Sequence, residues 1–559
     1  MSRRLLIVCI AATIATSALY AQRELVPVDH PVYQFLLRQQ MERHIDGFAW
    51  GMLPLSRMEV SQFLLQLESD STIVELPAVD VGLLKEYRLE FSFDLDHSLD
   101  SSRSFISSPS FSDVFDDHQR RYLYAYADSS TGLFVDGLGS LVHRQSWGDS
   151  LGKSDVTLGD LGVRVRGTLH DKLGFFLQAT NGRLLSGSHD LALVNHALLA
   201  NRKFNSDEKT FYDITKGYLR YDADWVSLMA GREQLLWGMG FGDRAMFSDN
   251  TVPFDFVRID LKSGSLHYAF VHGSLVGVDS SGRTLSSKYI AAHRLEFSVS
   301  RRVRIGFGEA VLYSNQPIHF ALFNPLTFLT SAELSTEEPQ GGDDAHNSLI
   351  WLDFEAYPLR DVRMFGSLLI DDLKFSVIKD TSVAGNTNKL AWQGGVEWTS
   401  PFSLPALLLS IEYTRINPFV LSHWTDINSY TNWNLSLGPS LPPNSDEWML
   451  GADYDVTSRL SASLRLRFQR SGENVTDSLG NVIFDAGSDL LHGKNALVHP
   501  NRFLQGTRVN RTIGSLRVEW QPVLQYFVAL EAWGRSLRIP SRSSTFNDAT
   551  VALSVRVEY

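Results

Sequence analysis

The chain has 559 residues, 44% of them hydrophobic, 11% aromatic and 20% charged, which excludes a disordered chain. Its 51 Lys and Arg against 63 Asp and Glu leave a formal charge of −12, which disfavours nucleic acid as a partner. The one cysteine is Cys9, so beyond it there are no disulfides, no zinc–cysteine site and no cysteine nucleophile.

Residues 1–21 read as an export signal. Arg3 and Arg4 form a positive start, Leu5 to Ala18 an apolar run, and Ala21 a small residue suited to cleavage before Gln22. The apolar run falls short of the roughly 20 residues a spanning helix needs. No later run reaches that length, because Leu404 to Ile411 is short and broken by Pro405. The exported chain is therefore either soluble outside the cytoplasm or spans a membrane as a closed barrel.

Residues 22–100 form a helical segment, expected on the periplasmic side. Pro31 suits a first helical position, and Val32, Phe35, Leu36 and Met41 recur at near-helical spacing. Ser56-Arg57-Met58-Glu59 fits a capping box ahead of a stripe of Val60, Phe63, Leu64 and Leu67, and Val81 to Leu89 offers a third helix. Three such helices bury little alone and should pack on something larger.

Residues 101–559 are assigned to the barrel, because from about residue 120 the hydrophobic period becomes two. Leu161, Val163 and Val165 alternate with Arg164 and Arg166; Leu295, Phe297 and Val299 with Glu296 and Ser298; Leu464, Leu466 and Phe468 with Arg465 and Arg467. The chain ends on Val551, Leu553, Val555, Val557 and Tyr559 on one face, with Ser554, Arg556 and Glu558 on the other. Trp225, Trp392, Trp398, Tyr413, Trp520 and Trp533 fall near strand ends, as interfacial girdles do. The fold expected is an all-β transmembrane barrel with a small α-helical preface. About 440 residues at roughly 24 per strand and connection give about 18 antiparallel strands, with 16 as the alternative. Long polar stretches at 181–212, 237–253, 315–347, 374–390, 415–446 and 470–511 read as outer loops, and His170-Asp171-Lys172 and Ser300-Arg301-Arg302 as turns at the other end.

Two stretches stand out for recognition. Sugar binding needs aromatic faces for pyranose rings and planar polar groups for hydroxyls. Between 415 and 446 these are concentrated as Trp424, Asp426, Asn428, Tyr430, Asn432, Trp433 and Asn434, the carbohydrate-binding candidates. Between 231 and 255, glycines mix with Arg232, Glu233, Trp237, Asp243 and Arg244, which reads as chain folded into the lumen as a plug. Gly148 to Ser154 is one residue short of a phosphate loop and reads as a turn, and Asp371-Asp372 lacks partners at metal-ligand spacing. No Gly-x-Ser-x-Gly elbow or His-Glu-x-x-His run occurs, so no catalytic residue, metal or cofactor is assigned and no enzyme is expected. The lumen arginines Arg164, Arg166, Arg465 and Arg467 would either select anionic solutes or pair with acidic neighbours.

The order of several motifs resembles the capsule assembly Wzi family of outer-membrane barrels and its porin-like relatives. The motifs are Pro31-Val-Tyr-Gln-Phe-Leu-Leu and Pro54-Leu-Ser-Arg-Met-Glu-Val; then Gly231-Arg232-Glu233, Trp237-Gly238 and Ser248-Asp249-Asn250 with Pro253-Phe254-Asp255; then Asn324-Pro325-Leu326, Asn347, Leu352-Asp353 and Asp371-Asp372; and finally Gly438-Pro439 with Asn444-Ser445-Asp446. The resemblance implies a surface lectin of the cell outer membrane, holding capsular or exopolysaccharide through loops over a plugged barrel. The partners it implies are outer-membrane lipid, the barrel assembly machinery and that polysaccharide. The alternative is a porin or channel for small solutes, including anionic ones.

Overall fold

The computed structural model describes residues 22–69, 75–106, 115, 117–206, 209–278, 284–336, 346–372, 388–493 and 502–559; the expected signal segment 1–21, with Cys9, lies outside them. Four helices open the described chain: α1 (Val32–Met41), α2 (Arg57–Leu67), α3 (Ala78–Glu90) and a short α4 (Ser92–Asp96). Pro31 precedes α1, and the capping box forms as expected, with Ser56 Oγ accepting the Glu59 N–H and the Glu59 carboxylate accepting the Ser56 N–H at 3.0 Å. The stripe of α2 and the apolar face of α1 meet in one core with Phe48 and Phe91.

The remainder is a closed antiparallel barrel of 18 strands, the number the residue count predicts. In chain order these are β1 (Gly132–Gly148), β2 (Ser154–Leu169), β3 (Leu173–Gly187), β4 (Phe211–Asp222), β5 (Val226–Glu233), β6 (Phe254–Ser263), β7 (Leu266–Val278), β8 (Thr284–Ser300) and β9 (Val303–Ser314). The second half comprises β10 (His346–Leu359), β11 (Val362–Asp372), β12 (Lys389–Thr399), β13 (Leu407–Ile416), β14 (Ser445–Thr457), β15 (Leu460–Glu473), β16 (Thr507–Val523), β17 (Tyr526–Ile539) and β18 (Ser544–Glu558). The first of these strands begins at Gly132, within the 101–559 segment. Between α4 and β1 lie short segments, of which Tyr124–Ala127 pairs with the start of β1. Closure runs between β18 and β1, with Leu553 opposite His143 and Val555 opposite Leu141.

The alternation resolves with its apolar side outward. Leu161, Val163, Leu295, Phe297, Leu464, Phe468, Leu553 and Val555 are exposed on the outer wall, while Arg294 and Glu296 are buried within. Such a surface suits hydrocarbon outside and polar groups inside. Trp225, Trp398 and Trp520 lie exposed at the short-turn end, and Trp147 and Trp448 at the other, forming two rims. Trp533 differs from expectation. It shares its strand parity with buried Ala529 rather than exposed Leu530, so it faces the lumen.

The strands that flank the six expected outer loops place those connections at one end, with residues 374–387 of one of them outside the described residues, and the turns at 170–172 and 300–302 lie at the other. The helical preface docks into the short-turn end. Arg38, fully buried, bridges Asp80 and Asp455 at 2.9 Å each, and the Glu42 carboxylate accepts the Ser400 hydroxyl at 2.8 Å. The segment before α1 enters the lumen, where the Leu25 N–H donates to Tyr218 Oη at 2.7 Å. Among the described residues, no helix is long and apolar enough to cross a membrane.

Candidate functional site

The lumen is filled on one side by two inward-folded segments. The first is the loop after β5. Gly238 there has φ +123°, a conformation disfavoured for any side chain, and a Cβ on Gly242 would lie 1.9 Å from Met449. These glycines let the loop press against the wall, where Leu236–Trp237 pairs with Met52–Leu53 of the preface. Arg244 stacks on the Trp50 ring at 4.4 Å and donates to the carbonyls of Trp50 and Gly238, at 2.6 and 2.7 Å. Burial, with Arg363 next, works against its charge, and burial raises the Asp249 carboxyl above its ordinary range.

Beneath this loop the wall supplies a chain of ion pairs. Arg294 binds Asp353 in a bidentate pair at 2.6 and 2.9 Å, and Arg304 reaches Glu296 at 3.0 Å. Arg363 reaches Glu355 at 2.9 Å and donates to the Met239 carbonyl at 2.9 Å. Buried charges of both signs with hydrogen-bonded partners close this half of the lumen.

The second segment is the 417–444 loop, which lies across the long-loop end as a lid. Its anchors are named residues. Lys288 donates to the Ser429 carbonyl at 2.8 Å, and Asn347 to the Asn428 carbonyl at 2.9 Å. Tyr430 donates to the Met246 carbonyl at 2.8 Å and packs between Trp351 and Phe247. Asn432 accepts the Val276 N–H at 3.0 Å. Asp371 accepts the Leu421 N–H at 2.6 Å, so it serves the lid.

The lid carries a two-residue hairpin in which Thr431 faces Ser436 and Asn432 faces Leu435. Its central residues, Trp433 and Asn434, have φ +56° and +60°. Two successive positive φ values define the turn whose twist matches a hairpin, and a bulky residue rarely occupies it. The Trp433 N–H donates to Val276 at 2.8 Å and fixes the tip against the wall.

The carbohydrate candidates therefore divide. Trp424 is 39% exposed, and Asp426, Trp433 and Asn434 are half-buried at the lid surface. Asn428, Tyr430 and Asn432 are buried and hold the lid in place. Among the plug candidates, Trp237 and Arg244 lie buried in the plug, and Glu233 faces the lumen, paired with Lys216 at 3.0 Å. Asp243 accepts the Ser440 N–H at 2.8 Å and so ties plug to lid. Arg232 does not belong with them. It shares its strand parity with exposed Leu228, faces outward and pairs with Asp255, both side chains about half exposed. Anchors the sequence reading missed are Lys288, Asn347 and Trp351, whose strand parity points them inward.

The other side of the lumen keeps a polar cavity of about 440 Å³ at the short-turn end, lined by Arg164, Arg166, Lys216, Asp160 and Glu558 among others. The lumen arginines there and above are paired: Arg164 with Glu558, Arg166 with Glu24, Arg465 with Asp453 and Arg467 with Glu447, at 2.7–2.9 Å. Neutralised in this way, they do not form the unpaired basic ring that anion selection uses.

A family model for the capsule assembly protein Wzi matches residues 148–517. Among solved structures, the chain is similar to Wzi of Escherichia coli, described as an outer-membrane protein involved in group 1 capsule assembly and a carbohydrate-binding β-barrel. That similarity has 13% identity and a TM-score of 0.59, and covers 96% of this chain and 99% of the other. OccK5 (OpdH) of Pseudomonas aeruginosa aligns at 9% identity and TM-score 0.44, over 76% of this chain and 98% of its own. A BenF-like porin of Pseudomonas fluorescens Pf-5 aligns at 11% and 0.43, over 76% and 99%. Among curated protein sequences, none matches.

Proposed function

The chain belongs to the capsule assembly protein Wzi family, and from that premise we propose that it is an exported outer-membrane lectin holding capsular or exopolysaccharide at the cell surface. It acts by binding, with no reaction and no cofactor. Residues 1–21 direct export and are removed, residues 22–100 stay on the periplasmic side, and residues 101–559 carry the barrel segment. The barrel assembly machinery inserts it, and lipid surrounds it.

The observation that carries the reading is the lid. A rigid network of buried anchors holds Trp433 in a backbone conformation unfavourable for its size, beside Asn434, with Trp424 exposed on the same loop. Unfavourable backbone geometry that surrounding contacts enforce is a mark of functional surfaces. An indole supplies the stacking face for a sugar ring, while Asn434 and Asp426 supply planar hydrogen-bonding groups. A repeating glycan crossing many copies on one cell gains avidity from weak single contacts.

The test is a glycan array on the detergent-purified protein, together with cell-surface polysaccharide retention by a Trp424→Ala/Trp433→Ala variant. Retention should fall while the barrel stays folded; unchanged retention rejects the lid as the binding face. A second reading, a channel for small solutes, is favoured by the 440 Å³ cavity. Planar-bilayer conductance separates the two, because a lid and plug held by buried anchors pass little current.

A further inference from the structure

The outer wall is not apolar everywhere. In the sector from β7 to β10, outward positions toward the long-loop end carry His272, Tyr289, His293, Glu309, Tyr313 and His346. Glu309 lies 2.9 Å from His293, and His272 Nε2 lies 2.8 Å from Tyr313 Oη. Imidazoles and a carboxylate facing acyl chains are costly, and natural barrels avoid them at membrane depth.

Residues 315–332, which follow β9, cover this patch. Instead of rising away from the barrel, they fold back down the outside of the wall. Leu322, Leu329 and Ala332 are buried against Phe270, Ala291 and Val311, all outward-facing strand residues. The Phe323 ring lies 5.0 Å from His272. The Glu309 carboxylate accepts the N–H groups of Leu329 and Thr330 at 2.9 and 2.7 Å, in the first turn of the helix Leu329–Thr336. Gln316 Nε2 lies 2.7 Å from His346 Nε2. The inner side of the segment is thus matched to a polar wall.

Its outer side is oily. Phe320 is 88% exposed, Leu326 81% and Phe328 66%. These residues continue the apolar belt. The belt row Leu295–Phe307 lies two residues, about 7 Å, from the covered row His293–Glu309. Phe328 bridges the step, with its ring 6.5 Å from Phe307.

We propose that residues 315–332 form a flap seated in the acyl chains of the membrane, restoring a lipid-compatible surface over a polar patch of the barrel wall, with Phe320, Leu326 and Phe328 as its lipid contacts. The occupant is hydrocarbon because the flap is continuous with the belt that hydrocarbon already covers.

Spin labelling tests this on the full chain. Cys9 is the only cysteine, so a Cys9→Ser background gives a clean start. Nitroxides are placed singly at Leu326→Cys and Phe320→Cys, with Phe354→Cys as the belt control and Leu479→Cys, in the 474–506 loop, as the water control. The proteins are reconstituted in phosphatidylcholine vesicles, and collisions with oxygen are compared with those of a water-soluble nickel chelate. Both flap labels should match Phe354, favouring oxygen several-fold over the Leu479 label. Nickel access equal to that of Leu479 overturns the proposal, as does dipolar broadening that reports a second copy seated on the flap. Phe320 and Leu326 project away from the wall, so either label reads the result alone, and unheated gel mobility reports the folded barrel.

Discussion

Removing the Tyr430 side chain should free the lid without unfolding the barrel. Tyr430 has no exposed surface; its ring centroid is 5.5 Å from that of Trp351 and 6.5 Å from that of Phe247. Truncating a buried aromatic to alanine costs about 3–5 kcal/mol. The Tyr430 hydroxyl also satisfies the Met246 carbonyl, and losing that bond adds about 1 kcal/mol. A total of about 4–6 kcal/mol raises the lid-open population by about three to four factors of ten, at 1.4 kcal/mol per factor of ten. Tyr430→Phe keeps the packing and loses only the hydrogen bond, so it should raise opening about fivefold. Hydrogen exchange reads these ratios at the amides of Trp433, which donates to Val276, and of Ser248, which donates to Leu437. Two results would refute the reasoning. Either the alanine variant exchanges at the native rate, or the barrel strands exchange along with the lid, showing that the two do not open separately.

In the preface, burial works against ionisation of Glu59, but the Lys262 ammonium, the Arg220 guanidinium and the hydrogen bonds it accepts outweigh this and hold its carboxyl at about 2, against an ordinary 4.5. A depressed folded value stabilises the ionised form. The contribution, on the order of 3 kcal/mol, is therefore complete above pH 4.5 and is lost as pH falls toward 2; Glu59→Gln should flatten that dependence, measured by proteolytic release of residues 57–67 between pH 2 and 6. On the outer wall, Leu553→Arg at the β18–β1 seam should cost about 2–4 kcal/mol in vesicles, while Ser554→Arg, one residue on and lumen-facing, should cost well under half of that; equal costs by denaturant titration would contradict the assignment of faces.

The barrel was readable because its two solvents differ. Leu464 and Arg465 sit side by side in the chain and face hydrocarbon and water, so the alternation is large and survives across most of the sequence. The capping box at Ser56 was readable because it is local. The site was less so. Tyr430 and Asn432 have the residue types of sugar ligands, yet in an irregular loop no period tells which side faces the wall, and both are buried. Arg232 was misplaced for a different reason. Its neighbours Leu228 and Ala230 set the parity of that strand outward, so it belongs to the wall although the glycine-rich loop begins two residues later.

Parity also carries information where it breaks. A membrane barrel leaves few free choices at outward positions, so a cluster such as His272, His293 and Glu309 on lipid parity calls for a cover. The cover here comes from the next long connection, whose first helical turn is capped by the same Glu309. Inward positions obey the converse rule: Trp351 and Leu349 are apolar on the watery side because the plug and lid displace water there. Apolar residues on lumen parity therefore map where the barrel is filled, and polar residues on lipid parity map where it is clothed. Between them they account for the direction in which three of the long loops fold, which the composition of those loops does not.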